Sequence, residues 1–95
     1  MTAYVTATVS VKDPEKLQAY LAALPGTLGP FGGQLVCRGK VNQALHGEAK
    51  YQLLAVFSFA DVATAEAWYR SDAYQVLIPN RDEALEGEIL ILESP

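Results

Sequence analysis

The 95-residue chain is predicted to fold as an α+β domain, a four-stranded antiparallel sheet with two helical regions on one face. Three observations carry that prediction. Residues 3–11 alternate strictly between aliphatic and hydroxylated or aromatic side chains; two stretches, 14–24 and 61–86, repeat apolar residues at helical spacing; and 51–59 and 89–92 are aliphatic and aromatic runs of strand length.

Ala3, Val5, Ala7, Val9 and Val11 fall on one side of the first strand, and Tyr4, Thr6, Thr8 and Ser10 on the other. Asp13-Pro14-Glu15 then supplies a helix start, because an Asp side chain accepts from free amides and proline is favoured at the first helical position. Leu17, Tyr20, Leu21 and Leu24 form the apolar stripe of this helix, and Pro25-Gly26 is expected to end it. Residues 26–33 hold four of the seven glycines. They predict a compact turn, or one short helical turn, packed by Leu28 and Phe31, before a second strand over 34–38. A polar connector over 42–50 contains His46-Gly47, and the third strand spans 51–59. Asp61 is placed to cap a helix that turns Val62, Ala65, Trp68 and Tyr69 inward. Ser71-Asp72 marks a break and a new cap, and a further helical piece runs through Tyr74 toward Glu86. Pro79 lacks an amide hydrogen and crowds the carbonyl four residues back, so a kink is expected over 75–78. Gly87 is expected to stop that helix before the closing strand, 89–92.

The order strand, helix, strand, strand, helix, strand is the βαββαβ arrangement of a ferredoxin-like domain, here a single one over 1–95. Both helical regions then cover one face of the sheet and leave the other bare. Strand three is apolar on both sides, with Leu53, Ala55 and Phe57 against Leu54 and Val56; strand four repeats this, with Ile89 and Ile91 against Leu90 and Leu92. A sheet wetted on one face would alternate apolar and polar throughout. A homodimer joined through the bare sheet face is therefore expected.

With 51% hydrophobic and 19% charged residues, the composition is that of one core-forming domain. Seven Lys and Arg against eleven Asp and Glu give a net charge of −4, and the basic residues are scattered. Nucleic-acid binding, which needs a concentrated positive footprint, is disfavoured. No apolar run approaches the roughly 20 residues of a membrane span, and the amino terminus does not read as a signal peptide, so neither a membrane nor export is expected and the protein is placed in the cytoplasm. Cys37 is the single cysteine and His46 the single histidine. No internal disulfide, metal cluster, nucleotide-binding glycine loop or paired-carboxylate motif is readable, and no cofactor is expected.

The candidate site centres on Arg81. Tyr74, Leu77, Ile78 and Arg81 stand at i, i+3, i+4 and i+7, which places a fixed charge on an apolar helical stripe and implies an anionic or water-filled neighbour. A guanidinium there can hold a carboxylate or enolate in two-point contact; its plainer role is a pair with Asp72, Asp82 or Glu86. Arg38 joins it as a candidate, against a plainer role as a charge guarding a strand edge. Tyr74, Trp68 and Tyr20 are candidate pocket walls, and Ser71 a candidate contact that also suits a helix cap. His46 is a weaker candidate, noted because imidazole titrates near neutrality.

Phe31-Gly-Gly-Gln-Leu-Val-Cys-Arg-Gly39 resembles the aromatic-Gly-Gly, four residues, Arg-Gly signature of the DUF1330 family. Trp68-Tyr-x-Ser71-x-x-Tyr74 followed by Arg81 resembles that family's second motif, and Tyr20-Leu21 and the closing aliphatic strand also fit. The chain departs at Asp72-Ala73, where the family often has Pro-Glu. The resemblance implies a dimeric α+β barrel whose relatives include cofactor-free monooxygenases, lactone isomerases and haem-handling proteins, a scaffold rather than one chemistry. The resulting expectation is a homodimer that binds a small anionic or carbonyl-bearing molecule between helices and sheet, with a cofactor-independent isomerase or monooxygenase as its catalytic form. The alternative is a non-catalytic binding or assembly module whose motif residues brace the fold.

Overall fold

Strict alternation over the first strand produces β1 (Ala3–Val11), which lies inside an antiparallel sheet with β2 (Gln34–Lys40), β3 (Leu53–Phe59) and β4 (Leu85–Glu93) in the order β2-β3-β1-β4. The computed structural model describes residues 2–94; the ends of the predicted domain, Met1 and Pro95, lie outside the described residues. Val5 stands opposite Phe57 and Ile91, and Ala7 opposite Ala55 and Ile89. One face of the sheet therefore gathers Ala3, Val5, Ala7 and Val9 with Phe57 and Phe59, and the helices α1 (Pro14–Leu28) and α2 (Val62–Arg70) cover it. The overall extents of 34 × 33 × 16 Å match two layers, one of sheet and one of helix. Buried Val5, Leu24, Leu28, Phe59 and Trp68 make up the centre of the core, each contributing about 1.5–3 kcal/mol by leaving water.

The opposite face carries Tyr4, Thr6 and Thr8 in a central row, flanked by Leu54 and Val56 on one side and Leu90 and Leu92 on the other. Leu54, Leu90 and Leu92 are 40%, 48% and 47% exposed. Among the described residues no helix is long and apolar enough to cross a membrane.

α1 begins as expected, with the Asp13 carboxylate accepting from the amides of Glu15 and Lys16 at 3.1 and 3.3 Å. It does not end at Pro25-Gly26. The helix continues to Leu28 with Pro25 inside it, although an interior proline costs about 3 kcal/mol. The extra turn buries Thr27 and Leu28, and the Thr27 hydroxyl donates to the Leu24 carbonyl at 2.7 Å while accepting from the Trp68 indole at 3.0 Å. These tertiary contacts offset the local penalty. A 3-10 turn (Gly29–Phe31) follows, and Gly33 then passes so close to Phe59 and Leu28 that a Cβ would come within 2.8 Å of the Phe59 ring.

The third strand starts two residues later than expected, although the Val41 amide still donates to the Gln52 carbonyl at 2.7 Å. β2 runs two residues longer and contains a bulge between Leu35 and Cys37. Leu35 faces Phe57, but Cys37 faces Val56 and Arg38 faces Ala55, so the extra residue turns Arg38 to the helix-covered side.

The second helical region is broken rather than kinked. Ser71 caps α3 (Asp72–Gln75) by accepting from the Tyr74 amide at 3.3 Å. A turn at Val76 and Leu77 then leads to α4 (Ile78–Ala84), which has Pro79 in its first turn. There the missing amide is no loss, so the proline begins a helix instead of bending one. Gly87 does not stop that helix. α4 ends at Ala84, whose carbonyl accepts from the Lys12 and Asp13 amides at 2.8 and 3.0 Å, and the closing strand has already begun at Leu85. Gly87 sits within β4 opposite Val9 with φ 153°, where a Cβ would overlap the Thr8 carbonyl oxygen. Gly87→Ala is expected to destabilise the fold by at least about 2 kcal/mol, read as a lower midpoint in urea unfolding; an unchanged midpoint would contradict this account of β4.

Candidate functional site

α2 lies on β1, β3 and β4, whereas α1 leans chiefly on α3, α4 and the 3-10 turn. The space left between α1 and the sheet is a cavity of about 370 Å³, within the roughly 300–1,000 Å³ usual for small-molecule pockets. Leu17, Leu21 and Leu24 of α1 form its roof, and the small side chains of Ala7 and Ala55 lie in its floor. Its only charged lining residue is Arg38, brought there by the bulge, and its only phenol is Tyr20. Arg38 makes no hydrogen bond or ion pair with another side chain among the described residues.

Behind Tyr20 runs a hydrogen-bonded chain. The Tyr20 and Tyr74 hydroxyl oxygens are 2.8 Å apart, and Arg81 Nη1 donates to Tyr74 at 3.2 Å and to Tyr69 at 2.9 Å. Arg81 Nε and Nη2 donate to Asp82 Oδ1 at 3.2 and 3.0 Å. The guanidinium lies 5.8 and 6.0 Å from the Tyr69 and Tyr74 ring centres, so both aromatic faces also favour its charge. Burial works against that charge, but the hydrogen bonds to Tyr69, Tyr74 and Asp82 outweigh it and raise the Arg81 pKa. Burial, reinforced by the adjacent Tyr74, pushes the Tyr20 phenol far above its ordinary value, against a smaller opposing pull from Arg81.

A second, polar cavity of about 420 Å³ adjoins Arg81 and Tyr69 and takes in Lys12, Asp82 and Glu86. Leu85 and Ile89 line both cavities, and the hydrogen-bonded chain runs from Tyr20 on the apolar one to Arg81 and Tyr69 on the polar one.

The structure brings Tyr20, Tyr74 and Arg81 together even though the helix supposed to align the last two is interrupted. Trp68, 2% exposed, stacks between Phe59 and Tyr74 at 5.3 and 4.6 Å and lines neither cavity. Ser71 is spent on its cap, also donating to the Trp68 carbonyl at 2.7 Å. His46 is exposed in the connector and lines neither cavity. Cys37 is exposed on β2. Among the described residues no three His, Cys, Asp or Glu side chains converge as a metal site would require. Sequence reasoning missed Lys12, which carries no local signal, named Glu86 only as a possible partner of Arg81, and treated Leu21 as core; it is 42% exposed and roofs the cavity.

A family model described as a domain of unknown function, DUF1330, matches residues 2–95. No curated protein matches the chain. Among solved structures, a protein of unknown function from Rhodopseudomonas palustris is similar with a TM-score of 0.83 at 16% identity, over 99% of this chain and 82% of that one. A dimeric ferredoxin-like protein of unknown function from Jannaschia sp. CCS1 gives 0.71 at 13% identity, over 100% and 99%. SnoaB, a cofactor-independent oxygenase from Streptomyces nogalater, gives 0.70 at 7% identity, over 99% and 93%. At these identities the likeness is one of fold.

The raised Tyr20 pKa sets a sign for stability against pH. Unfolded, the phenol loses its proton near pH 10; folded, it keeps it, so unfolding releases a proton and stability falls as pH rises above that value. Tyr20→Phe is expected to flatten the decline measured by urea unfolding at pH 9.5–11, and an identical decline in the variant would refute the assignment.

Proposed function

The chain belongs to the DUF1330 family, and we propose that it is a cytoplasmic homodimer of a single domain over 1–95 that binds a small apolar compound with an anionic or carbonyl-bearing end under α1. The observation that carries this reading is Arg38, whose side chain makes no hydrogen bond or ion pair among the described residues, on the lining of an otherwise apolar cavity. A charge so placed interacts strongly with a ligand that excludes water. The free thiol of Cys37 suits a reducing compartment.

The dimer reading rests on the exposed leucines of the outer sheet face. A stable interface hides roughly 800 Å² per partner, and an apolar sheet face left in water is an aggregation hazard. Two structural neighbours, from Jannaschia and Thermobifida fusca, are described as dimeric.

If the ligand is turned over, the fitting chemistry is a cofactor-independent oxygenation or isomerisation through an enolate-like anion, which Arg38 would stabilise. The oxygenase among the structural neighbours is consistent with the first. Among the described residues the cavity lining holds no carboxylate or imidazole to take a proton, which favours a ligand that arrives ionised. The second reading, a non-catalytic binding or assembly module, draws support from Arg81, Trp68 and Ser71, all engaged by the fold itself.

A thermal-shift screen of benzoate, naphthoates and medium-chain alkanoates tests the binding reading. At least one acid is expected to raise the wild-type Tm and to do nothing for Arg38→Met, whose unliganded Tm stays within about 1 °C because no hydrogen bond or ion pair of the described residues is lost. If no acid stabilises wild type more than the variant, the reading fails. For the dimer, sedimentation of wild type at micromolar concentration is expected to give twice the chain mass and Leu90→Glu a monomer; a soluble wild-type monomer would overturn it.

A further inference from the structure

We propose that the Tyr20 hydroxyl is a hydrogen-bond donor held open for the ligand, so that the cleft selects compounds carrying a ketone- or quinone-type oxygen on an apolar body. This rests on the binding reading above and names its ligand class. Counting protons leads to it. An arginine only donates, and each phenol has one proton to give. Tyr74, 0% exposed, accepts from Arg81 Nη1, and its one other polar side-chain neighbour among the described residues is the Tyr20 oxygen at 2.8 Å. Only if the Tyr74 proton goes to Tyr20 does this sealed hydroxyl find an acceptor for it, and that is the direction assigned here. Tyr20 is an acceptor in that contact, and its own proton has no acceptor among the described residues, although the side chain is only 6% exposed. A buried donor without a partner is costly, and partnerless donors of this kind recur at binding sites.

The chain is directional. Positive charge on Arg81 polarises Tyr74, and Tyr74 polarises Tyr20, so the last hydroxyl is a stronger donor than a phenol alone. Burial keeps it protonated, which makes it a donor and not a base. Tyr20 lines the apolar cavity, and Arg81 at the other end of the chain lines the polar one. One neutral donor in an apolar wall fits a carbonyl oxygen, whereas a carboxylate needs several donors, and Arg38 is the group that offers them.

The test uses the full chain with two probes of equal size, 2-acetylnaphthalene and 2-isopropenylnaphthalene, by calorimetry, with the infrared carbonyl stretch of the bound ketone as a second readout. In wild type the stretch is expected at lower wavenumber than in hydrocarbon solvent. Tyr20→Phe should abolish that displacement and reduce the preference for the ketone on the order of 10-fold. Tyr74→Phe, which cuts the chain but spares Tyr20, should leave a smaller displacement. A hydrocarbon-like stretch in wild type, or an unchanged preference in folded Tyr20→Phe, overturns the proposal. If acids bind in an Arg38-dependent way while the ketone shows no such preference, the Tyr20 assignment alone falls; if neither acids nor the naphthalene probes bind, both readings fall.

Discussion

The sealed hydroxyl of Tyr74 is the constraint around which the helical layer is arranged. A phenol oxygen with no access to water needs partners from the protein, and here they come from Tyr20 on α1 and Arg81 on α4, while Tyr69 on α2 shares the same guanidinium. Four helical segments thus meet at one set of hydrogen bonds. Among the described residues no buried carboxylate neutralises Arg81. Its acid partner, Asp82, is 63% exposed, so the interior end of the network keeps a net positive character. That sign is what a cleft for oxygen-bearing ligands requires.

The same network accounts for the cavity. α1 is drawn toward α3 and α4 by Tyr20, by the Asn80 side chain donating to the Lys16 carbonyl at 2.9 Å, and by the Lys16–Glu83 pair at 3.0 Å. Its far end is fixed by Thr27 and Leu28 against Trp68, Gly33 and Phe59. Between these anchors the sheet presents Ala7 and Ala55, too small to reach the helix. In a core under no other demand, larger side chains would fill that gap, since unfilled volume forfeits packing energy. Small residues under a helix pinned at both ends preserve a space the fold could otherwise have closed.

Much of this was legible in the residues. Alternation over 3–11 identified the central strand, Asp13, Asp61 and Ser71 marked three helix caps, and the two-sided strands foretold an oily outer face. What escaped depended on partners distant in sequence. Pro25-Gly26 reads locally as a stop, and only Trp68, 41 residues from Thr27, reveals why the helix goes on. Gly87 follows a helical pattern as a terminator would, yet its role is the approach of one backbone to another, and the letter is the same for both. The bulge in β2 is an insertion that parity counting cannot see, so the sequence offered Arg38 as a candidate without revealing that it lines the cavity.

That bulge also separates the two arginines by the state of their donors. A guanidinium has five N–H groups, and Arg81 directs four hydrogen bonds to Tyr69, Tyr74 and Asp82. A ligand could grip it in two-point fashion only by displacing Asp82 or the tyrosines, each exchange trading one charge-assisted bond for another with little net gain. Arg38 has given up nothing to the fold. Exposed on the lining of the cavity, it would attract the proposed ligand more strongly as water left. The spacing that makes Arg81 conspicuous in the sequence therefore marks the arginine whose donors the fold uses, and on the reading proposed above the less conspicuous one would meet the ligand.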